Sequence, residues 1–119
     1  LRRVVARLNR EWAGSPARAF VPPQYYATSS DGYAQILSPP GVTPDALGHH
    51  AGLADTSLLL AVAPNMVRLA QLRTAPKPGA ADGVYGGDPR HATAALGQLG
   101  VDAIVSNTVA ALRKDTAAR

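Results

Sequence analysis

The chain has 119 residues, no cysteine and a formal net charge of +4, and 46% of its residues are hydrophobic. This length corresponds to one domain, and the hydrophobic fraction is typical of globular chains. The lack of cysteine excludes a disulfide framework and a thiolate metal site. No apolar run reaches the roughly 20 residues that a membrane span needs, and no stretch has the pattern of a signal peptide. We therefore expect a soluble protein with no membrane partner.

The positive charge raises the question of a nucleic-acid partner. Four arginines fall on the polar side of the first predicted helix: Arg2, Arg3, Arg7 and Arg10. No aromatic residues are interleaved with them to form a stacking platform for bases. This pattern is typical of a solvated helix face, so we expect no nucleic-acid partner.

The first twenty residues have the pattern of a helix followed by a strand. Apolar residues recur at helical spacing, which predicts one buried stripe with Trp12 as a core anchor: Leu1, Val4, Val5, Leu8 and Trp12. Gly14 and Pro16 end this helix. Residues 17–21 then predict a short buried strand, which stops before two prolines because proline cannot donate to a sheet ladder. A helix followed by a strand is half of a βαβ unit and favours an α/β layered fold.

Two tyrosines directly follow the predicted strand. Ligands of open α/β sheets bind beyond the carboxyl ends of the strands, so Tyr25 and Tyr26 are candidates for a substrate-binding wall. The alternative is that these rings pack over the edge of the sheet. A short helix is predicted next, with Tyr33, Ile36 and Leu37 on one face, and a further helical turn begins at residue 44.

The centre of the chain holds two imidazoles and a carboxylate immediately before an apolar run. His49, His50 and Asp55 lie within residues 48–57, and residues 57–63 predict a helix that ends at a proline. Histidine exchanges protons near neutral pH, and a carboxylate can orient its ring or cap a helix. Two interpretations follow. Either the histidines act in a site, with His49 binding substrate, or they are loop residues and Asp55 is only the cap.

A long helix is predicted at the C-terminus. Asp88 followed by proline indicates a helix start, and six apolar residues are expected to face the core: Leu96, Val101, Ile104, Val105, Val109 and Leu112. Gly97 and Gly100 each cost a helix up to about 1 kcal/mol relative to alanine. A neighbouring element that approaches the backbone closely, from this chain or another subunit, would compensate. Otherwise Gly100 ends the first of two helical segments.

Three segments together resemble a known family. Residues 50–57, His-Ala-Gly-x-x-Asp-Thr-Ser, resemble the H-A-G-x-x-E-T-S segment of the creatininase (creatinine amidohydrolase) family. Residues 83–89, Gly-Val-Tyr-Gly-Gly-Asp-Pro, are similar to the family's G-x-x-G-D-P turn with one extra residue. Residues 92–97 are similar to the A-T-A-x-x-G opening of its long helix.

The resemblance implies a fold, a cofactor and partners. The fold would be a three-layer α/β/α arrangement with a mainly parallel sheet, and residues 1–119 would be the C-terminal part of a single creatininase-like domain. The activity would be hydrolysis of a cyclic or linear amide C–N bond in a small-molecule substrate, with a divalent metal ion, zinc or manganese. The metal ligands would come mainly from the N-terminal half, so no ligand is assigned here. A homo-oligomer is expected, in the cytoplasm, or in the periplasm if the chain is a processed product.

Two residues match family site positions. The resemblance implies that His50 passes a proton between water and the leaving nitrogen, and that Asp55 holds or polarises it. Asp55 is one methylene shorter than the family's glutamate, and no aromatic precedes His50 to stack on a flat ring. The competing hypothesis is a structural or binding half-domain without chemistry. Phosphate binding at residues 83–89 is disfavoured, because the P-loop arrangement of glycines and lysine is missing.

Overall fold

The computed structural model describes residues 1–22, 33, 36 and 44–117. Within these ranges there are five α-helices: α1 (Arg2–Glu11), α2 (Pro44–Leu47), α3 (Leu53–Val62), α4 (Leu69–Thr74) and α5 (Ala94–Ala117). Three single 3-10 turns connect them: Pro64–Met66, Ala80–Asp82 and Pro89–His91. Tyr33 and Ile36 are also helical.

The predicted α/β fold is wrong for the described residues, which contain no strand and no sheet. Residues 17–22 have no regular structure. The side-chain amide of Asn9 takes the position of a strand partner: its Nδ2 donates to the Ala19 carbonyl and its Oδ1 accepts from the Ala19 N–H, both at 2.8 Å. A strand needs hydrogen bonds from a neighbouring strand. No second extended run lies beside residues 17–22 in these ranges, so the predicted strand has nothing to pair with.

The first helix is confirmed, but the burial of its apolar stripe is not. No residue of α1 is buried, and Trp12, predicted as a core anchor, follows the helix and is 36% exposed. An exposed ion pair joins Arg7 Nε and Glu11 Oε1 at 3.4 Å, one helical turn apart. Contacts between residues three and four positions apart stabilise this helix locally. It is therefore present although no described element covers it.

The core lies where α3 crosses α5. Gly97 and Gly100 are buried, and a Cβ at residue 97 would overlap the Ser57 carbonyl of α3 and lie 2.9 Å from the Ala61 Cβ. The expected close approach is therefore confirmed, and the neighbour belongs to this chain. The helix runs without a break through Gly100, so the alternative that Gly100 ends a segment is wrong.

Tyr33 occupies the space that Gly100 leaves open. Its ring is 2% exposed and would clash with any Cβ at residue 100. Its hydroxyl donates to the carbonyls of Leu96, at 3.2 Å, and Ala54, at 3.4 Å. Burial, helped by the nearby charge of Asp55, raises the pKa of Tyr33 to about 12. A neutral tyrosine thus links α3 to α5.

Other parts of the predicted core are exposed. Ile36 is exposed, so it does not share the buried position of Tyr33, and Leu37 lies outside the described residues. Leu96, Val101 and Ile104 are partly buried. The predicted burial of three further residues of α5 is wrong: Val105, Val109 and Leu112 are exposed. The buried residues of α5, Gly97 and Gly100, lie near its N-terminal end, where the helix meets α3 and Tyr33.

The length and composition of α5 also bear on the membrane expectation. This helix of 24 residues is long and apolar enough to cross a membrane, judged by length and composition alone. From the sequence, no such stretch is expected. The core helix of a soluble protein meets the same test. A core helix is mostly buried, whereas 11% of the apolar stretch of α5 is buried here.

Candidate functional site

The two glycine-rich segments of the chain join at a single backbone bridge. His50 and Tyr85 form an isolated antiparallel pair, in which the Tyr85 N–H donates to the His50 carbonyl at 2.9 Å. The His49 N–H donates to the Tyr85 carbonyl at 2.7 Å, and the His50 N–H donates to it at 3.3 Å. The bridge holds the two adjacent histidines against residues 83–89.

Glycines allow this close contact. Gly48 and Gly87 have φ values of +86° and +64°, which side chains disfavour. A Cβ at residue 48 would lie 2.8 Å from the Gly86 carbonyl carbon, and one at residue 87 would lie 2.6 Å from the Leu47 oxygen. The Gly87 N–H donates to the Asp45 carbonyl at 2.7 Å. The glycines are needed because two backbone segments touch here.

Asp55 secures the start of α3. The helix begins at Leu53 with Gly52 as its N-cap, so Asp55 lies in the first turn and is not the N-cap residue. Its Oδ2 accepts the Ala51 N–H at 2.8 Å. Within the described ranges, no hydrogen bond or ion pair joins the side chains of Asp55 and His50. The carboxylate therefore acts on the backbone next to His50.

The His50 imidazole is exposed and has no hydrogen-bond partner among the described residues. Its ring centroid lies 6.2 Å from that of Tyr85, and the two planes are tilted by 37°. The backbone of His50 is held by the bridge, while both ring nitrogens are open to a ligand or to solvent. Such a ring can exchange a proton with a bound molecule.

His49 is held differently. Its Nε2 lies 3.1 Å from Asp45 Oδ1, and both side chains are exposed. The two residues line a cleft of about 430 Å³ together with Lys77 and Tyr85. Sequence reasoning missed Asp45, Lys77 and Tyr85 as residues of this cleft. The spacing of Asp45 and His49, four residues apart across the end of α2, was a signal that could have found the pair.

A second cavity, of about 440 Å³, adjoins the cleft. Its lining is mostly apolar and includes Ala51, Leu59, Leu72, Ala75 and Pro89. Pro78 and Val84 line both spaces and form the wall between them. Concave apolar sites with a few polar groups are the usual form of small-molecule pockets.

Asp88 is a structural residue rather than a free carboxylate. It caps the Pro89–His91 turn by accepting the Arg90 N–H at 3.0 Å, and α5 begins only after Thr93, whose Oγ1 accepts the Leu96 N–H. The helix start predicted at Asp88 is thus a single turn. The Arg90 guanidinium donates to both carboxylate oxygens, including a 2.7 Å contact, and lowers the pKa of Asp88 to about 2.

The described residues do not fit a metal site. No group of three or more histidine, aspartate and glutamate side chains in these ranges could hold a metal ion. A zinc site needs three or four such ligands. Tyr25 and Tyr26, the other predicted substrate-binding residues, lie outside the described residues.

The sequence match to a protein family includes both of the segments that the His50–Tyr85 bridge joins. The sequence model of the creatininase family, described as creatinine amidohydrolase, matches residues 1–112. The chain therefore belongs to the creatininase family, whose members are generally metal-dependent amidohydrolases and soluble proteins. No curated protein and no solved structure matched the chain.

Proposed function

We propose that this chain carries the proton-transferring histidine of a metal-dependent amidohydrolase that cleaves a cyclic or linear amide C–N bond. The observation that supports this is the state of His50. Its backbone makes two hydrogen bonds to Tyr85 and that of His49 makes a third, while the His50 imidazole is exposed without a hydrogen-bond partner in the described ranges. A general acid needs both features, a defined position and an available nitrogen.

The chemistry of amide cleavage gives His50 a defined task. Water adds to the carbonyl carbon, the C–N bond breaks, and the departing nitrogen must take a proton because an amide anion is a poor leaving group. A neutral imidazole can accept the proton that water loses and return it to this nitrogen. His49, lining the cleft beside it, would contact the substrate.

Asp55 would act as a positioning residue. Its bond to the Ala51 N–H fixes the backbone one residue after His50 and joins it to the first turn of α3. Since the side chains of Asp55 and His50 are not bonded, the effect passes through the backbone. The carboxylate would thereby hold His50 beside Tyr85, or turn toward the ring when substrate binds.

The cofactor and partners remain those that the family implies. We propose a divalent metal ion, zinc or manganese, whose ligands lie outside the described residues, since these do not fit a metal site. The N-terminal half of the same domain would supply them, with the chain as the C-terminal part of a homo-oligomeric enzyme. Its substrate would be a small-molecule amide, and its location the cytoplasm, or the periplasm for a processed chain.

Replacement of His50 tests this proposal. In the complete protein, His50→Ala should lower the turnover number for amide hydrolysis by about 100-fold or more, because the leaving nitrogen loses its proton donor. Circular dichroism should show an unchanged fold, since the ring is exposed and the bridge uses backbone atoms. The matched control is His91→Ala, which removes another exposed imidazole. Full activity in His50→Ala would contradict the assignment.

The second candidate is a non-catalytic structural or binding half-domain. The exposed apolar faces of α1 and α5 favour it, because such faces are expected to contact a partner. In that case His50 would have no task, and its replacement would alter neither activity nor metal content.

A further inference from the structure

The two cavities described above flank the segment that contains His50. Its preceding neighbour, His49, lines the cleft, and its following neighbour, Ala51, lines the apolar cavity. The two spaces share only Pro78 and Val84 as common walls. A molecule that passes Pro78 and Val84 would therefore reach both spaces. His50 is not among the lining residues of either space, but its ring centroid lies 6.2 Å from that of Tyr85, which lines the cleft.

The lining of the apolar cavity suits an apolar group. Most of its lining is aliphatic, and its volume of about 440 Å³ exceeds what a single benzene ring needs. Its charged members, Arg68 and Asp82, are both exposed, and the Asp82 carboxylate accepts the Gly79 N–H at 2.9 Å. An aromatic or branched aliphatic group would bury its surface there without burying a charge.

The cleft suits a carboxylate. Its charged and titratable members are Asp45, His49, Lys77 and Tyr85. The Asp45 carboxylate is bound to the His49 ring, whereas Lys77 has no ion pair in the described part of the chain. Lys77 is therefore the cation in the cleft that is available to a ligand, and an ammonium group attracts carboxylates.

We propose that the substrate is an N-acylamino acid: its apolar acyl group occupies the cavity, and its carboxylate lies in the cleft near Lys77. This inference rests on the function proposed above and names its substrate class. It disfavours a small, uncharged polar ring as the substrate, since such a ring would fill neither space. The amide bond of an N-acylamino acid joins these two parts, so it would lie at the boundary between the two spaces.

Binding can be measured apart from catalysis. The complete protein is treated with a chelator, and the affinities of hippurate (N-benzoylglycine) and of its uncharged analogue hippuramide are measured by NMR titration. Hippurate should bind about fivefold more tightly, the size expected for one exposed ion pair. Lys77→Gln should remove this difference, and Ala75→Phe, which places a ring in the apolar cavity, should weaken both ligands. The matched controls are Lys114→Gln and Ala70→Phe, whose side chains are exposed away from both spaces.

The outcomes separate this inference from the function on which it rests. Equal affinities for the two ligands, no binding of either, or an unchanged hippurate affinity in Lys77→Gln would overturn it. If the ligands bind as expected but the metal-loaded protein hydrolyses neither hippurate nor any other amide, the proposed function fails while the assignment of the two spaces stands.

Discussion

At the scale of single residues, Asp88 has the best-defined electrostatic environment in the described chain. Its side chain is 14% exposed and accepts three hydrogen bonds from the Arg90 side chain as well as one from the Arg90 N–H. Arg90 also donates to the Ala75 carbonyl at 3.3 Å. The pair thus connects the turn before α5 to the residue after α4, and the charged form of Asp88 holds this connection.

Asp88 should make stability depend on pH in the acid range. The pKa of its carboxyl is about 2 in the folded protein and about 3.8 when unperturbed, so the unfolded chain binds this proton first as the pH falls. The contribution is complete above about pH 4 and declines toward pH 2. Asp88→Asn should remove this decline and cost about 1 to 2 kcal/mol at neutral pH.

The measurement is urea unfolding of the complete protein between pH 2 and pH 7. Asp102→Asn serves as the matched control, because Asp102 is an exposed carboxylate that accepts a hydrogen bond from the Gln98 side chain. If wild type and Asp88→Asn lose stability in parallel from pH 4 to pH 2, the ion pair does not contribute.

At the scale of elements, the contact between α3 and α5 holds the candidate site in place. The residue types along the contact are small, which brings the helices within backbone contact: Ser57, Ala61 and Gly97. The buried hydroxyl of Ser57 accepts the Thr93 N–H at 3.3 Å and so ties α3 to the residue before α5. Because α3 also begins at the histidine segment, its position determines where His50 lies.

Gly97→Ala should therefore be destabilising even though alanine is the better helix former. The added methyl overlaps the Ser57 carbonyl, so the helices must separate, and we expect a loss of about 3 kcal/mol. Gly14→Ala is the matched control, since a Cβ there meets nothing within 4 Å and should change stability by less than about 0.5 kcal/mol. Thermal unfolding of both variants gives the comparison. Equal melting temperatures would mean that the two helices pack differently from the described contact.

At the scale of the whole molecule, the chain is elongated. The radius of gyration of its Cα atoms is 17.9 Å, whereas a compact domain of this length has roughly 13 to 14 Å. Its dimensions are 58 × 29 × 23 Å. Elongation goes together with the exposed apolar residues of α1 and of the second half of α5. These surfaces support the proposal that further protein, the N-terminal half or a second subunit, completes the domain.

Metal content tests the proposal at this scale. The purified complete protein should contain about two divalent ions per site, with ligands supplied from beyond the described residues. Removal by a chelator should abolish amide hydrolysis, and restoring zinc or manganese should recover it. The His50→Ala variant is the matched control, because it should keep its metal while losing activity. A protein without metal after purification in the presence of zinc and manganese would favour the binding half-domain.

Local pattern determined most of the helical segments of this chain, although it did not predict α4. The spacing of apolar residues predicted α1, proline and glycine positions predicted α2 and the end of α3, and the glycines of α5 predicted a close neighbour. The family was also evident from residues 50–57 and 83–89. Such features depend on contacts within one or two helical turns, or on short segments, and a sequence displays both directly.

Only the tertiary structure decided which of these features meet. The bridge between His50 and Tyr85 joins residues far apart in the chain, and the cleft that His49 shares with Lys77 follows from it. Periodicity also predicted burial for Trp12 and Val105, which are exposed, and a strand at residues 17–21, which has no partner strand in the described part of the chain. An apolar stripe or an extended run indicates which secondary structure a segment favours. Burial and strand pairing require a second surface, and its presence is a property of the assembled protein.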